Sequence, residues 1–284
     1  MSDVSAIHDI GYQRYRGARL GRSYTRRSLY THSLRTAYGL GRSAKAKIFP
    51  WFAAAVLLLV AIIDVAIRSQ SGGKLPLSYV DFPQATALAV LLFLATAAPE
   101  LVSRDLRSKV LPLYFSRPIR RSDYALAKLG ALASAIFLLI AVPLLIIFLG
   151  GAFSLPSGKL WHEFTDFLGG LVGAAVMAIV YASIGLLVSS LLARRMVAAA
   201  AIVGVFLVTG TVGAAVAALG GGGDSELIGR ALGPTQLVES LNVWMVGGNP
   251  KHFGHFGWAY LIETIVGTAL LVWLLLQRYR TVES

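Results

Sequence analysis

The chain has 284 residues, 56% of them hydrophobic and only 14% charged, with a mean hydropathy of +0.68. A soluble domain carries about 25% charged residues, so this composition excludes a wettable surface and points to an integral membrane protein. The net charge of +12 marks loops on the cytoplasmic side rather than a nucleic-acid partner, because no basic domain stands clear of the apolar runs. The absence of cysteine removes disulfides, thiol nucleophiles and Cys-based metal sites.

Residues 1–48 hold ten basic residues against two acids, Asp3 and Asp9. The basic region is too long for a signal peptide, and no small-residue cleavage site closes the apolar run that follows. At 100° per residue, Leu29, Tyr30, Leu34, Ala37, Leu40, Ala44 and Ile48 share one arc, with Arg27, Arg35, Arg42 and Lys45 opposite. That pattern predicts an amphipathic helix in the membrane interface, its basic face toward anionic lipid. The segment 1–48 is therefore read as a cytoplasmic N-terminal part and 49–284 as a six-span transmembrane domain.

Six apolar runs follow, at about 49–67, 83–102, 125–149, 167–192, 196–219 and 257–276. Each is close to the ~20 residues that cross a bilayer. They are continuous rather than alternating, so the fold class is all-α. Pro143 lies within the third run and is expected to bend it. Sorted by loop, 21 basic residues fall on one side of these spans and five on the other (Arg68, Lys74, Lys159, Arg230 and Lys251). The positive-inside rule places the 21, and both termini, in the cytoplasm.

The outer connections 68–82 and 150–166 are short. The third, 220–256, opens with Gly220–Gly223. Pro234 to Val246 then reads as a short helix, with proline in its first turn and Gly247-Gly248 after its end. Leu237, Val238, Leu241, Trp244 and Met245 make it apolar enough to be re-entrant, which requires shielding by protein; the alternative is a surface helix. Gly169-x-x-x-Gly173 is a small-residue face for close helix packing, within the bundle or between two copies.

Catalytic machinery is not apparent. The chain has no G-x-x-x-x-G-K-[ST] phosphate loop; Gly72-Gly73-Lys74 is the nearest fragment, with Arg68 where the first glycine belongs. His162, Glu163 and Asp166 in the second outer loop could join His252 and His255 at a metal only if two loops met. The alternative is a polar margin beside the aromatic belt of Trp161, Phe253, Phe256 and Trp258. Two acids lie inside spans, Asp64 and Glu263. Either they line a translocation path, or they cap loop helices and pair with Arg68 or Lys251.

The stretch from Pro99 to Lys128 is a basic gap between the second and third apolar runs. It carries Glu100, Arg104, Leu111, Pro118, Arg120, Arg121, Tyr124 and Lys128. This layout resembles the permease subunits of the second export-type ABC transporter family, whose pattern runs acid–basic–Leu–Pro–x–x–Arg–Lys. The family's usual Gly-Thr after the acidic and basic residues is Lys109-Val110 here. The opening segment, Ile7 to Gly17, looks like that of actinobacterial members.

The resemblance implies one half of a transporter, paired as a homodimer or with a related permease. It also implies two separate ATP-binding-cassette subunits, which would carry ATP and magnesium; this chain would hold no cofactor and catalyse no reaction. It implies the plasma membrane of a bacterium, a cytoplasmic coupling helix docked in a groove of the ATPase, and short gating helices before the last span. The residues from Ser116 to Asp123 suit that coupling helix, with Ser116 as N-cap and Pro118 in the first turn. Arg117, Pro118, Ile119, Arg120, Arg121 and Asp123, with Glu100 and Arg104, are the candidate docking residues. Arginine forks suit carboxylates in such a groove, and Ile119 suits an apolar anchor. The alternative is that these cations only set topology and bind lipid headgroups. The same layout would serve a mechanotransmitter that moves an extracytoplasmic partner. A secondary transporter would want ionisable residues nearer the midplane.

Overall fold

The computed structural model describes residues 17, 20–70, 76–108, 114, 119–152, 160–220, 223–246 and 256–281. These residues contain helices and no strand: α1 (Arg22–Ala37), α2 (Ala44–Gln70), α3 (Phe82–Ala85), α4 (Ala87–Leu101), α5 (Ser103–Arg107), α6 (Arg121–Ala152), α7 (Leu160–Leu191), α8 (Arg195–Leu219), α9 (Asp224–Leu232), α10 (Pro234–Val246) and α11 (Phe256–Thr281). Six are long and apolar enough to cross a membrane: α2, α4 continued by α5, α6, α7, α8 and α11.

The spans match the six apolar runs, and most extend past them. α2 begins five residues earlier than the run at 49, because Lys45 and Lys47 are good helix formers at a helix end. The second span begins later than the run at 83, since Thr86 interrupts between α3 and α4. α6 takes in Arg121 and Asp123, and it continues as one helix through Pro143. α7 starts at Leu160, seven residues before the run at 167, and so absorbs His162, Glu163 and Asp166.

The expected single helical face from Leu29 to Ile48 is divided. α1 stops at Ala37, and Gly39 and Gly41 take left-handed backbone angles of +67° and +78°. A Cβ on Gly39 would lie 2.6 Å from the Ala46 carbonyl oxygen, so the turn needs glycine there. Leu29, Ser33 and Ala37 form the buried side of α1. The hydroxyl of Tyr30 donates to Ser134 Oγ at 2.8 Å, and that of Tyr38 to the Ala135 carbonyl at 2.7 Å. The apolar face that periodicity marks is thus covered by α6. Leu40 and Ile48 fall outside it and are exposed.

α4 and α7 are the most enclosed spans, and α2, α8 and α11 turn most of their surface outward. α2 buries one narrow stripe: Pro50, Ala53, Leu57, Ala61, Asp64 and Arg68. Beyond α8 the chain forms a helical hairpin. α9 folds back on α8 where Gly213 and Gly229 meet; a Cβ on Gly213 would lie 2.3 Å from the Gly229 carbonyl oxygen. α10 has the predicted bounds, Pro234 to Val246, and runs along α7. Thr235 meets the Tyr181 hydroxyl at 2.9 Å, while Asn242 and Val246 sit over Gly173 and Gly169. Tyr181 is 21 residues past Leu160, about 30 Å along α7. The hairpin therefore lies within the bundle, and the Gly169–Gly173 face seats it.

Candidate functional site

Charge divides the molecule into two ends. The end that carries α1, the α4–α6 connection, the α7–α8 turn and the last turn of α11 holds nearly all the basic residues described. Arg68 and Arg230 lie toward the other end.

Three carboxylates organise the basic end. Glu100, near the end of α4, accepts from Arg42 at 2.5 Å and from Arg195 at 2.7 Å. It thereby joins the turn after α1 to the start of α8. Asp105 in α5 accepts from the Tyr124 hydroxyl at 2.7 Å and from Lys128 Nζ at 2.9 Å. Lys128 is buried and lies on the same inward stripe of α6 as Tyr124 and Ala131. A buried lysine must be paired to stay in place, and removing such a partner costs about 3–5 kcal/mol. Asp123, in the first turn of α6, takes a two-pronged bond from Arg22, at 2.5 and 2.7 Å, and a third from the Arg120 backbone amide at 3.1 Å. Asp123 holds the Arg22 guanidinium above its ordinary pKa. Arg121 Nη1 donates to the Arg280 carbonyl at 2.7 Å, and the Tyr124 and Tyr279 rings stand 5.2 Å apart. The start of α6 is therefore fastened to α1, α5 and α11.

The candidate docking residues separate into two sets. Glu100 and Asp123 are bound internally, and Ile119 is buried in the core at 7% exposure. Arg104 and Arg120 are exposed, and neither has a carboxylate partner among the described residues. Arg117 and Pro118 lie outside the described residues, as do Ser116, His252, His255 and Lys251. Of the predicted short helix, Ile119 and Arg120 are not helical, and Arg121 to Asp123 open α6.

The opposite end contains a cluster of another kind. Arg68 of α2 makes two bonds with Glu163 of α7, at 2.5 and 2.8 Å, with both side chains buried. The Tyr79 hydroxyl donates to the same Glu163 oxygen, and burial pushes its pKa up. Gly151, in the last turn of α6, makes room for the guanidinium; a Cβ there would lie 2.1 Å from Arg68 Nη1. Glu163 is thus committed to Arg68 and not available to the metal set considered from sequence. Sequence reasoning missed this pair, although the period carries it: Glu163 heads the buried stripe Phe167, Gly170, Ala174, Met177 and Tyr181.

The two acids inside spans are placed apart in character. Asp64 is buried, and its Oδ1 accepts from the Leu77 amide at 3.0 Å, so it ties the first outer connection to α2. Glu263 is exposed on α11 beside Ile262, Ile265 and Val266.

Residues 74–223, just over half of the chain, match a family model described as ABC-2 family transporter protein. No curated protein matches the chain.

Proposed function

The chain belongs to the ABC-2 family of transporter proteins, and from that premise, which makes it a permease subunit that works with an ATP-binding-cassette ATPase, we propose that the basic end is the cytoplasmic face on which the ATPase docks. The observation that carries this reading is the pair of exposed arginines, Arg104 and Arg120, neither with a carboxylate partner among the described residues. They flank a junction already tied to α1, α8 and α11. Carboxylates of a partner groove would find charge-assisted bonds there. A displacement of the α5–α6 junction would be passed to the other spans through Asp123, Asp105 and Glu100. Those three, with Ile119, position the docking face instead of touching the partner.

In this reading two permease copies, or this chain and a related permease, form the pathway in a bacterial plasma membrane. Both termini are cytoplasmic, and substrate moves outward. ATP and magnesium sit on the partner. The hairpin of α9 and α10 enters the bundle from the far end of the pathway, and its movement would open the exit.

The test is copurification of the ATPase with the chain in which Arg104 and Arg120 are both alanine. The expected result is at least a tenfold loss of bound ATPase at unchanged membrane insertion, with loss of export. Full ATPase recovery and full export would refute the docking face.

A further inference from the structure

A groove of about 1160 Å³ opens between α1 and the adjoining ends of the second and third spans. The docking reading uses one residue of its wall, Arg104, and gives the cavity itself no role. Arg35 projects into it from α1 and Arg104 from α5, and neither has a carboxylate partner among the described residues. Two other cations on its wall are matched, Arg42 by Glu100 and Lys128 by Asp105. Four cations against two carboxylates leave a surplus of two positive charges, and Arg195 offsets Glu100 further from outside the groove. Hydroxyls line the remaining wall, among them Ser28, Ser43 and Ser108. Arginine forks with neutral hydroxyl donors around them suit the three acceptor oxygens of a phosphate ester.

We propose that this groove is a binding site for a phosphate-ester group, held between Arg35 and Arg104. The group would belong to an anionic phospholipid or to a free phosphate compound. One feature favours the lipid. The rim includes Leu40, and beyond the turn the start of α2 exposes Ile48, Phe49, Trp51 and Phe52. An amphiphile seated here places its phosphate among the arginines and its chains along that outward apolar face. A tryptophan in that row suits the level of the headgroups. Basic pockets between helices at the cytoplasmic side are where such headgroups bind; the sidedness used here is that of the docking reading. A bound phosphate bridges α1 to α5, two elements that both pack on α4.

The experiment is native mass spectrometry of the full chain without ATPase, with phosphatidylglycerol and phosphatidylcholine as probes. Phosphatidylglycerol is expected to be retained in preference. Arg35→Gln and Arg104→Gln should each weaken it about fivefold, and the pair about thirtyfold. Arg27→Gln, on α1 but outside the groove, should not weaken it, and Arg35→Lys should keep most of it. Both arginines are exposed, so circular dichroism and thermal unfolding should be unchanged. Glycerol phosphate is the second probe. If millimolar glycerol phosphate displaces the lipid, a free phosphate ester suffices; if it does not, the ligand is the bilayer lipid. The proposal is overturned if the folded double variant retains phosphatidylglycerol as the wild type does, or if Arg27→Gln loses as much. It is also overturned if Arg35→Gln loses ATPase copurification while lipid retention is unchanged, because the groove then belongs to a protein partner. The lipid assay contains no ATPase, so its failure leaves the docking reading standing.

Discussion

At the basic end, two organising carboxylates hold partly exposed cations from other elements: Glu100 holds Arg42 and Arg195, and Asp123 holds Arg22; Asp105, paired with the buried Lys128, is the exception. At the opposite end, Arg68 and Glu163 are enclosed, with Tyr79 closing the pair. Water and salt screen the first kind, so each bond is worth about 1 kcal/mol or less. The second kind cannot be broken without stranding a charge. Apart from Asp105 and Lys128, the basic end is thus built of clasps that can let go one at a time. The far end of α2, α6 and α7 is a fixed joint.

The largest effect is expected at the fixed joint. Glu163→Gln leaves the Arg68 guanidinium buried without its carboxylate and should cost about 3–5 kcal/mol, read as a fall in thermal unfolding temperature in detergent. Replacing Arg68 with Met and Glu163 with Leu together should recover most of that loss. If Glu163→Gln melts like the wild type, the joint is not fixed and the contrast between the ends collapses.

Next in size is the hairpin seat. Gly213→Val forces a side chain into the Gly229 backbone and should cost about 1–3 kcal/mol. Gly204 has open space around it, so Gly204→Ala should change little. Because the chain has no native cysteine, a disulfide between Asn242→Cys and Gly173→Cys can report the docked hairpin. Its yield should drop in the Gly213→Val background and persist with Gly204→Ala.

Smallest is the effect on the clasps. Asp123→Asn removes a bond whose arginine is 42% exposed, and it should cost about 1 kcal/mol or less. High salt should erase most of the difference between this variant and the wild type. A loss as large as that of Glu163→Gln would make the two ends equivalent.

Much of this architecture is legible in the chain itself. Six runs of about 20 apolar residues can only be spans, and the lopsided distribution of cations separates the two ends before any coordinate is known. Pro234 opens α10 because its fixed backbone angle suits the first helical turn. Other features escape for definite reasons. Arg26 to Ile48 keeps a helical period, yet Gly39 sits where the backbone must turn, so the face is cut in two. Glu163 reads as a loop residue because charge is expected outside a span; only its partner Arg68, 95 residues away, allows it inside. Asp123 and Glu100 read as surface charges facing a partner, and their cations lie 101 and 58 residues away. Pairings across such separations leave no local trace. Of the candidate docking residues described, Arg104 and Arg120 are the two cations that geometry leaves facing outward without a carboxylate partner among the described residues.

The most direct test of the central claim is site-directed crosslinking of the assembled transporter. Arg120→Cys at the basic end and Ile228→Cys on exposed α9 are each given the same short thiol-reactive photocrosslinker. An ATPase adduct is expected from position 120 and none from position 228. An ATPase adduct from 228, or none from 120 in a complex that still hydrolyses ATP, would contradict that claim.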